Sequence, residues 1–553
     1  MTHLSRRGFL GASSAATTAA AYLFTGATPG PQEGAEGSTE DEAAAQESTD
    51  ASGAITIAST SAPASLDPGL ATDTETERIC RQIFEPLVGI DKDTGNVSPL
   101  LASDWEVSSN GQVYTFALRR GVTFHDGSEL DAEVVVQNFQ RWGRLDYLYG
   151  TNAMHRSTPL AFPSVFGGFM GSADCVLESV EALDERTVEL RLSEPVVYLL
   201  QALTLPAFGI ISGELLTDID PTRVDRAPAG TGPYELAERE NGAVALEAFG
   251  GYWGSNSGPE RVVVQPLPKS FDRLRELQRG AVDVYDYITA DNLRSLVQAG
   301  RLYLQRDPFS VIYMGINTTH PILSDFDIRR AAARAIDRQS LVNQLFLDGS
   351  RAAFQFTPAA LAVHSDDAVR HSYNPQLAQE LLEESDYDGE PLDFYYPITT
   401  TRSYLPRPEA VFASVAADLT AAGFNIRPRP VPWDEGYVDQ MLNDSDRAFH
   451  LLGRNGGFRS PHSFFAPLFR QPNREFNFTN ETVNDLLDSA RAEDDEEQRT
   501  TYYQQVADEL QEQLPAVPLA YPISALALGS SVRDYPMSPV LNERFADIEL
   551  TET

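Results

Sequence analysis

Imidazole serves both metal and general-base chemistry, so the eight histidines are the first residues to test. They are His3, His125, His155, His320, His364, His371, His450 and His462. No two show the H-x-x-x-H spacing that turns two rings to one face of a helix. His450 and His462 flank a glycine- and arginine-rich stretch, which makes them the pair for which a metal role is weighed. His125 stands beside Asp126 like half of a catalytic pair, but no nucleophile is near and Gly127 marks a turn. The chain has no G-x-S-x-G, no phosphate-cradling G-x-x-x-x-G-K and no C-x-x-C. Its two cysteines, Cys80 and Cys175, permit one disulfide; two buried thiols are the alternative. Catalysis and a cofactor therefore lack their parts, no metal site is expected beyond the role weighed for His450 and His462, and a non-enzyme is expected. An exported hydrolase on an α/β scaffold is the enzymatic alternative.

The N-terminus says where the chemistry takes place. Ser5-Arg6-Arg7-Gly8-Phe9-Leu10 sets an arginine pair before an uncharged apolar run, Phe9 to Phe24. At about 16 residues the run is shorter than the roughly 20 needed to span a bilayer, and basic-then-apolar is the layout of an export signal. The pattern S-R-R-x-F-L resembles the twin-arginine motif, with an ordinary Sec signal as the alternative. Cleavage after Ala27 fits the small residues there, giving a signal over 1–27. No cysteine follows the run to take a lipid, so an uncleaved signal is the remaining tether. The expected location is the periplasm or the outer face of the cytoplasmic membrane.

Residues 28–53 are rich in Ala, Ser, Gly, Glu and Asp and cannot bury enough surface to offset their ordering entropy, so they read as a disordered acidic linker. The whole chain carries 80 Asp and Glu against 42 Lys and Arg, a net charge of -38. Phosphate backbones would be repelled, so nucleic acid is not an expected partner.

Short strands and helices follow in mixed order. Ala54 to Ala58 alternates as a strand, and Thr74 to Leu87 places Ile79, Ile83 and Leu87 at helical spacing. Asp104–Val107 and Val113–Leu118 flank Asn110-Gly111, a hairpin signal; Val176–Leu183 and Thr187–Leu192 form a second pair. Between the pairs, Asp131 to Trp142 predicts a helix with Val134, Val135, Phe139 and Trp142 facing inward. Longer helices are predicted over Phe326–Leu347, Pro408–Ala422 and Thr482–Leu514. The order suits an α/β architecture of two lobes, with the chain crossing between them.

A family likeness rests on several of these segments together. Pro99-Leu100-Leu101-Ala102-Ser103-Asp104-Trp105-Glu106-Val107, then Tyr114-Thr115-Phe116 with Leu118-Arg119, then Gly121-Val122-Thr123-Phe124-His125-Asp126-Gly127, resembles the family 5 extracellular solute-binding proteins. Gly230-Thr231-Gly232-Pro233-Tyr234, Tyr252-Trp253-Gly254 and the stretch from Asp325 to Asp337-Arg338 match further family patterns in order. The likeness covers about residues 54 to 550. It implies a periplasmic-binding-protein-like α/β fold of two lobes with a hinge and an extra subdomain. The expected division is 54–97, 225–310 and 520–553 in lobe I, 98–224 in the extra subdomain and 311–519 in lobe II.

The same resemblance implies a monomeric receptor that closes on a small-molecule or peptide ligand and delivers it to an ABC permease. A ligand sensor without transport is the alternative use of the fold. In peptide-binding relatives, the stretch matching Gly453 to Phe465 carries an aspartate that pairs with the peptide's α-amino group. Here Gly457 holds that place, Ser460 replaces a second aspartate, and Arg454 replaces a tryptophan. Either the two arginines Arg454 and Arg459 face solvent or balance the acidic surface, or one or both receive an anionic ligand group, since guanidinium binds carboxylate or phosphate in a bidentate manner. Asn455 lies between them. By the same resemblance, Arg402 and Tyr404 of Arg402-Ser403-Tyr404-Leu405-Pro406 lie near the cleft, Tyr313 and Asn317 bound a strand crossing between lobes, and Phe166 and Trp433 are candidate aromatic walls.

Overall fold

Alternation makes the first strand: in Ala54–Ser59, Ile55 and Ile57 are buried on one face. It pairs in parallel with Arg261–Pro266 on one side and Val284–Asp286 on the other. The computed structural model describes residues 53–552, apart from 93, 150–159, 217–219, 221, 362, 364–369 and 471–473. The predicted export signal and all but the last residue of the acidic linker lie outside the described residues. Among those described, the first lobe is built on a seven-stranded sheet. Its order is Tyr303–Arg306, Ser524–Leu528, Val284–Asp286, Ala54–Ser59, Arg261–Pro266, Ala243–Ala248, Tyr234–Glu240.

The helix Thr74–Ile83, here called the cleft helix, packs Ile79 and Ile83 onto that sheet. Asp73 caps its start, accepting from the backbone N–H of Glu75 at 3.2 Å and of Thr76 at 3.0 Å. It ends four residues before the predicted Leu87. Pro86 lacks an N–H and disfavours helical geometry at Glu85. The segment Gly230 to Tyr234 lies against the helix end so closely that a Cβ on Gly230 would sit 2.1 Å from the Ile83 carbonyl oxygen.

The extra subdomain is a four-stranded antiparallel sheet, Ala102–Val107, Val113–Leu118, Thr187–Leu192, Leu177–Asp184 in order, under the helix Ala132–Trp142. That helix buries Val135, Val136, Phe139 and Trp142, while Val134 is only half-buried, a rotation of its inner face from the predicted one.

The second lobe has a six-stranded sheet ordered Arg351–Ala352, Ala516–Tyr521, Ser310–Ile316, Arg447–Asn455, Leu392–Ile398, Ile426–Pro432. Ser310–Ile316 is buried along its length, as an inner strand covered on both faces must be. Ile426–Pro432 holds three prolines and lies at the sheet edge, where missing N–H groups break no ladder. Two of the predicted long helices are each a pair. Asp337 caps Arg338–Leu345 after Phe326–Ala335, and Asp495 caps Glu496–Gln513 after Glu481–Ala492.

The chain crosses between lobes at 307–309 and returns at 522–523, so two short connections form the hinge. Cys80, on the cleft helix, is buried in the core of the first lobe, whereas Cys175 packs on the core of the extra subdomain; both are free thiols. The disulfide allowed by their even number is therefore absent, because the two side chains belong to different cores.

Candidate functional site

A cavity of about 270 Å³ lies between the lobes. That is near the lower end of small-molecule sites, about 300 Å³, so it suits a small solute better than a long chain. The N-terminal turn of the cleft helix brings Asp73, Thr74 and Glu77 to it, and the extra subdomain contributes Val165 and Leu205. The second lobe brings Arg402, Tyr404, Trp433, Arg454, Asn455, Gly457 and Phe458.

Arg402 is 7% exposed and stacks on Trp433, its guanidinium carbon 3.7 Å from the ring centroid. Its Nη1 donates to Ser61 Oγ at 3.3 Å, but its Nε has no hydrogen-bond partner, and no ion pair to a carboxylate forms among the described residues. A buried guanidinium without a counter-charge is costly, and here only the Trp433 ring and the Ser61 hydroxyl offset that cost. Burial pushes the Tyr404 hydroxyl up to about 12, which keeps it protonated beside Arg402. Arg454 donates through Nε to the Ser463 carbonyl at 2.8 Å, and burial lowers its pKa despite Tyr313 and Glu77.

Facing these cations is Glu77. Burial pushes its carboxyl up to about 7, against the pull of Arg81 and Arg454 and with help from Asp73. The Glu77 carboxyl makes no hydrogen bond or ion pair among the described residues, whereas the Asp73 carboxylate is engaged in capping. The cavity thus carries two acids from one lobe and two guanidinium groups from the other.

Contacts between the lobes close around it. Asn455 Nδ2 donates to Thr74 Oγ1 at 3.3 Å and to Ser403 Oγ at 2.9 Å. Arg407 pairs with Asp291 at 3.1 Å and Arg491 with Glu194 at 3.2 Å. Tyr198 of the extra subdomain stacks on His462, ring centroids 4.4 Å apart.

Of the residues singled out in the sequence, Arg402, Tyr404, Trp433, Arg454 and Asn455 come together at the cavity. The others do not. Tyr313 is 1% exposed, donating its hydroxyl to Glu475 at 2.8 Å inside the second lobe. Asn317 donates to the backbone carbonyls of Ser445 and Arg447, because it ends an inner strand rather than crossing the cleft. Phe166 is fully buried in the extra subdomain, and its neighbour Val165 reaches the cavity instead. Arg459 is exposed and lines a separate cavity at Gly95, away from Arg454.

His450 is engaged with Glu475 at 3.0 Å and His462 stacks on Tyr198. Among the described residues no group of three or more His, Cys, Asp or Glu side chains is placed to hold a metal ion. Asp73, Glu77 and Leu205 escaped the sequence reading. The i, i+4 spacing of Asp73 and Glu77 was the available signal, since it puts both on one helix face. Gly457 does line the cavity, but an ideal Cβ there would lie 2.8 Å from Leu205 Cδ2 of the opposite lobe. Leucine fills the space a side chain at 457 would need.

The family model for bacterial extracellular solute-binding proteins, family 5 (middle), matches residues 96–476. The chain belongs to this family. The Escherichia coli K12 dipeptide-binding protein is 25% identical to this solute-binding protein over 515 residues, covering 90% of this chain and 94% of its own. The Salmonella typhimurium peptide transport periplasmic protein SapA is 28% identical over 503 residues, covering 88% of this chain and 89% of its own. The solved structure of the Helicobacter pylori periplasmic binding protein DppA, in complex with peptide STSA, superposes with a TM-score of 0.81 at 21% identity, over 90% of this chain and 98% of that one. This likeness confirms the large two-lobed fold with an extra subdomain. The function that follows is that of a solute-binding receptor for an ABC importer. No helix among the described residues is long and apolar enough to cross a membrane.

Proposed function

We propose that this solute-binding protein captures a small, carboxylate-bearing, peptide-like solute between its lobes and hands it to an ABC permease without altering it. The observation that carries the ligand class is Arg402, a buried guanidinium stacked on Trp433 whose Nε has no partner. A planar fork held flat against an indole is already oriented, so little rotamer freedom is lost when a carboxylate docks bidentately. The cavity volume of about 270 Å³ limits the solute to roughly the size of a di- or tripeptide. Relatives such as the Escherichia coli dipeptide-binding protein and the Salmonella typhimurium peptide transport protein SapA are themselves named for peptides.

Mass spectrometry of solutes that co-purify with the folded protein names the ligand, and calorimetric titration of that ligand tests the site. Arg402→Ala is expected to weaken binding by at least about 100-fold, because breaking a buried ion pair costs about 3–5 kcal/mol and 1.4 kcal/mol is tenfold. Unchanged affinity in that variant would refute the assignment. The protein acts outside the cytoplasmic membrane as a monomer, exported through the twin-arginine signal at Arg6-Arg7. Arg6→Lys with Arg7→Lys is expected to leave the precursor in the cell fraction of an immunoblot; normal export would return the signal to the Sec class.

A further inference from the structure

The two guanidinium groups at the cavity have carboxylates opposite them that do not neutralise them. Glu77 and Arg454 face each other across the lobes, yet no ion pair within 4 Å joins them among the described residues. In a satisfied pair each partner holds the other charged. Here burial outweighs the attraction on both sides: the acid is pushed up to about 7 and the guanidinium is pushed down. Asp73, one turn before Glu77, accepts from two backbone N–H groups and from the Thr76 hydroxyl at 2.5 Å, so its oxygens are occupied. Glu77 alone presents an uncommitted carboxylate to the cavity, and Gly457 on the opposite wall has no side chain to offer.

We propose that Glu77 of the cleft helix receives the ammonium end of the bound solute, so that the ligand is a zwitterion held at both ends and spanning the two lobes. This rests on the reading of Arg402 as the carboxylate receptor, the buried unpartnered cation in the same cavity. Each lobe then supplies one charge, and the ligand's two ends reward closure only when both lobes are in place. The groups facing Glu77 are Arg81 and Asp73 on its own helix and Arg454 from the strand Arg447–Asn455. His462, also on the cavity wall, is held neutral by burial with Arg491 and Arg470 nearby. Glu77 is therefore the group that changes charge near neutrality. Below its pKa it is protonated, so ammonium binding weakens as pH falls through 7.

The test is calorimetry on the folded chain with three matched probes: Ala-Phe, N-acetyl-Ala-Phe and Ala-Phe amide. Wild type is expected to bind Ala-Phe at least about 100-fold more tightly than the acetylated form, and Glu77→Gln to erase that difference. Between pH 7 and pH 6 the wild-type affinity for Ala-Phe is expected to fall about fivefold, the ratio of ionised fractions for a group titrating near 7, with no such fall in Glu77→Gln. Equal binding of the free and acetylated peptides by wild type would overturn the proposal, whatever becomes of the variant's folding. So would an Ala-Phe affinity untouched by Glu77→Gln. Discrimination against acetylation but none against the amide would support Glu77 while refuting the Arg402 reading. Binding of none of the three would overturn both.

Discussion

Glu85 shows what the most recognisable residues of this chain do. Its buried carboxylate accepts from Tyr252 OH and Trp253 Nε1, each at 2.7 Å, and from Thr231 Oγ1 at 3.0 Å. Two motifs that mark the family thus converge on one acid in the first lobe, outside the cavity. His125 is fastened similarly: its Nε2 meets the Gly232 carbonyl at 3.0 Å and its ring stands edge-on to Phe249, while burial holds its pKa below the ordinary value. These motifs were legible because the tight turns and close approaches they serve tolerate few residue types. The cavity-lining residues were legible only in part. Arg402, Arg454 and Trp433 stood out in segments with a family counterpart. Glu77 did not, since an acid in the first turn of a helix is ordinary at that position and favours the helix dipole. Only the approach of the second lobe makes it part of a cavity wall. Leu205 was hidden for the same reason, its role arising from a contact across the cleft with Gly457.

At the scale of elements, boundaries set by a single residue were the harder part to read. Apolar periodicity runs on through Phe326–Leu347 and Thr482–Leu514, but an aspartate side chain that caps a new helix interrupts each run. The joints between elements are ionic where the hinge begins. Asp286, at the end of Val284–Asp286, binds Arg306 Nη1 at 2.7 Å and also pairs with Arg78 of the cleft helix. Arg306 holds Glu543 of the C-terminal segment at 2.8 Å as well, and is the last residue of the strand before the crossing at 307–309. Burial alone would raise the Asp286 pKa, but Arg306 and Arg78 hold it well below the carboxylate range. Being depressed, it contributes stability that is present above the unfolded value of about 3.9 and is lost as pH falls through the folded value. Asp286→Asn is expected to cost about 3–5 kcal/mol in urea unfolding at pH 7, because two buried guanidinium groups lose their shared partner. The difference from wild type is expected to shrink below about pH 4. An unchanged midpoint at pH 7 would mean that Glu75 and Glu543 suffice for the two arginines.

For the whole molecule the question is what keeps the lobes together, and the inter-lobe contacts give a quantitative handle. Asp291 and Glu194, with side chains 62% and 58% exposed, pair with arginines of the second lobe and belong to no part of the cavity wall. Such contacts exist only when the lobes meet, so they bias the open–closed equilibrium without touching the ligand. Exposed pairs are worth about 0.2–1 kcal/mol each. Removing both with Asp291→Asn and Glu194→Gln is therefore expected to raise the Kd for the co-purified solute by up to about thirtyfold, since the closed form that holds it becomes less populated. Small-angle scattering provides the structural half of the measurement. Saturating solute is expected to reduce the radius of gyration of wild type, with secondary structure unchanged by circular dichroism, as movement about two short connections requires. The double variant should reach the same bound radius, but only at higher solute concentration. A bound radius equal to the free one in wild type would rule out capture by closure. A double variant that binds like wild type would place the energy of closure in the ligand contacts alone, with Arg402 and Glu77 drawing the two lobes together through the solute they share.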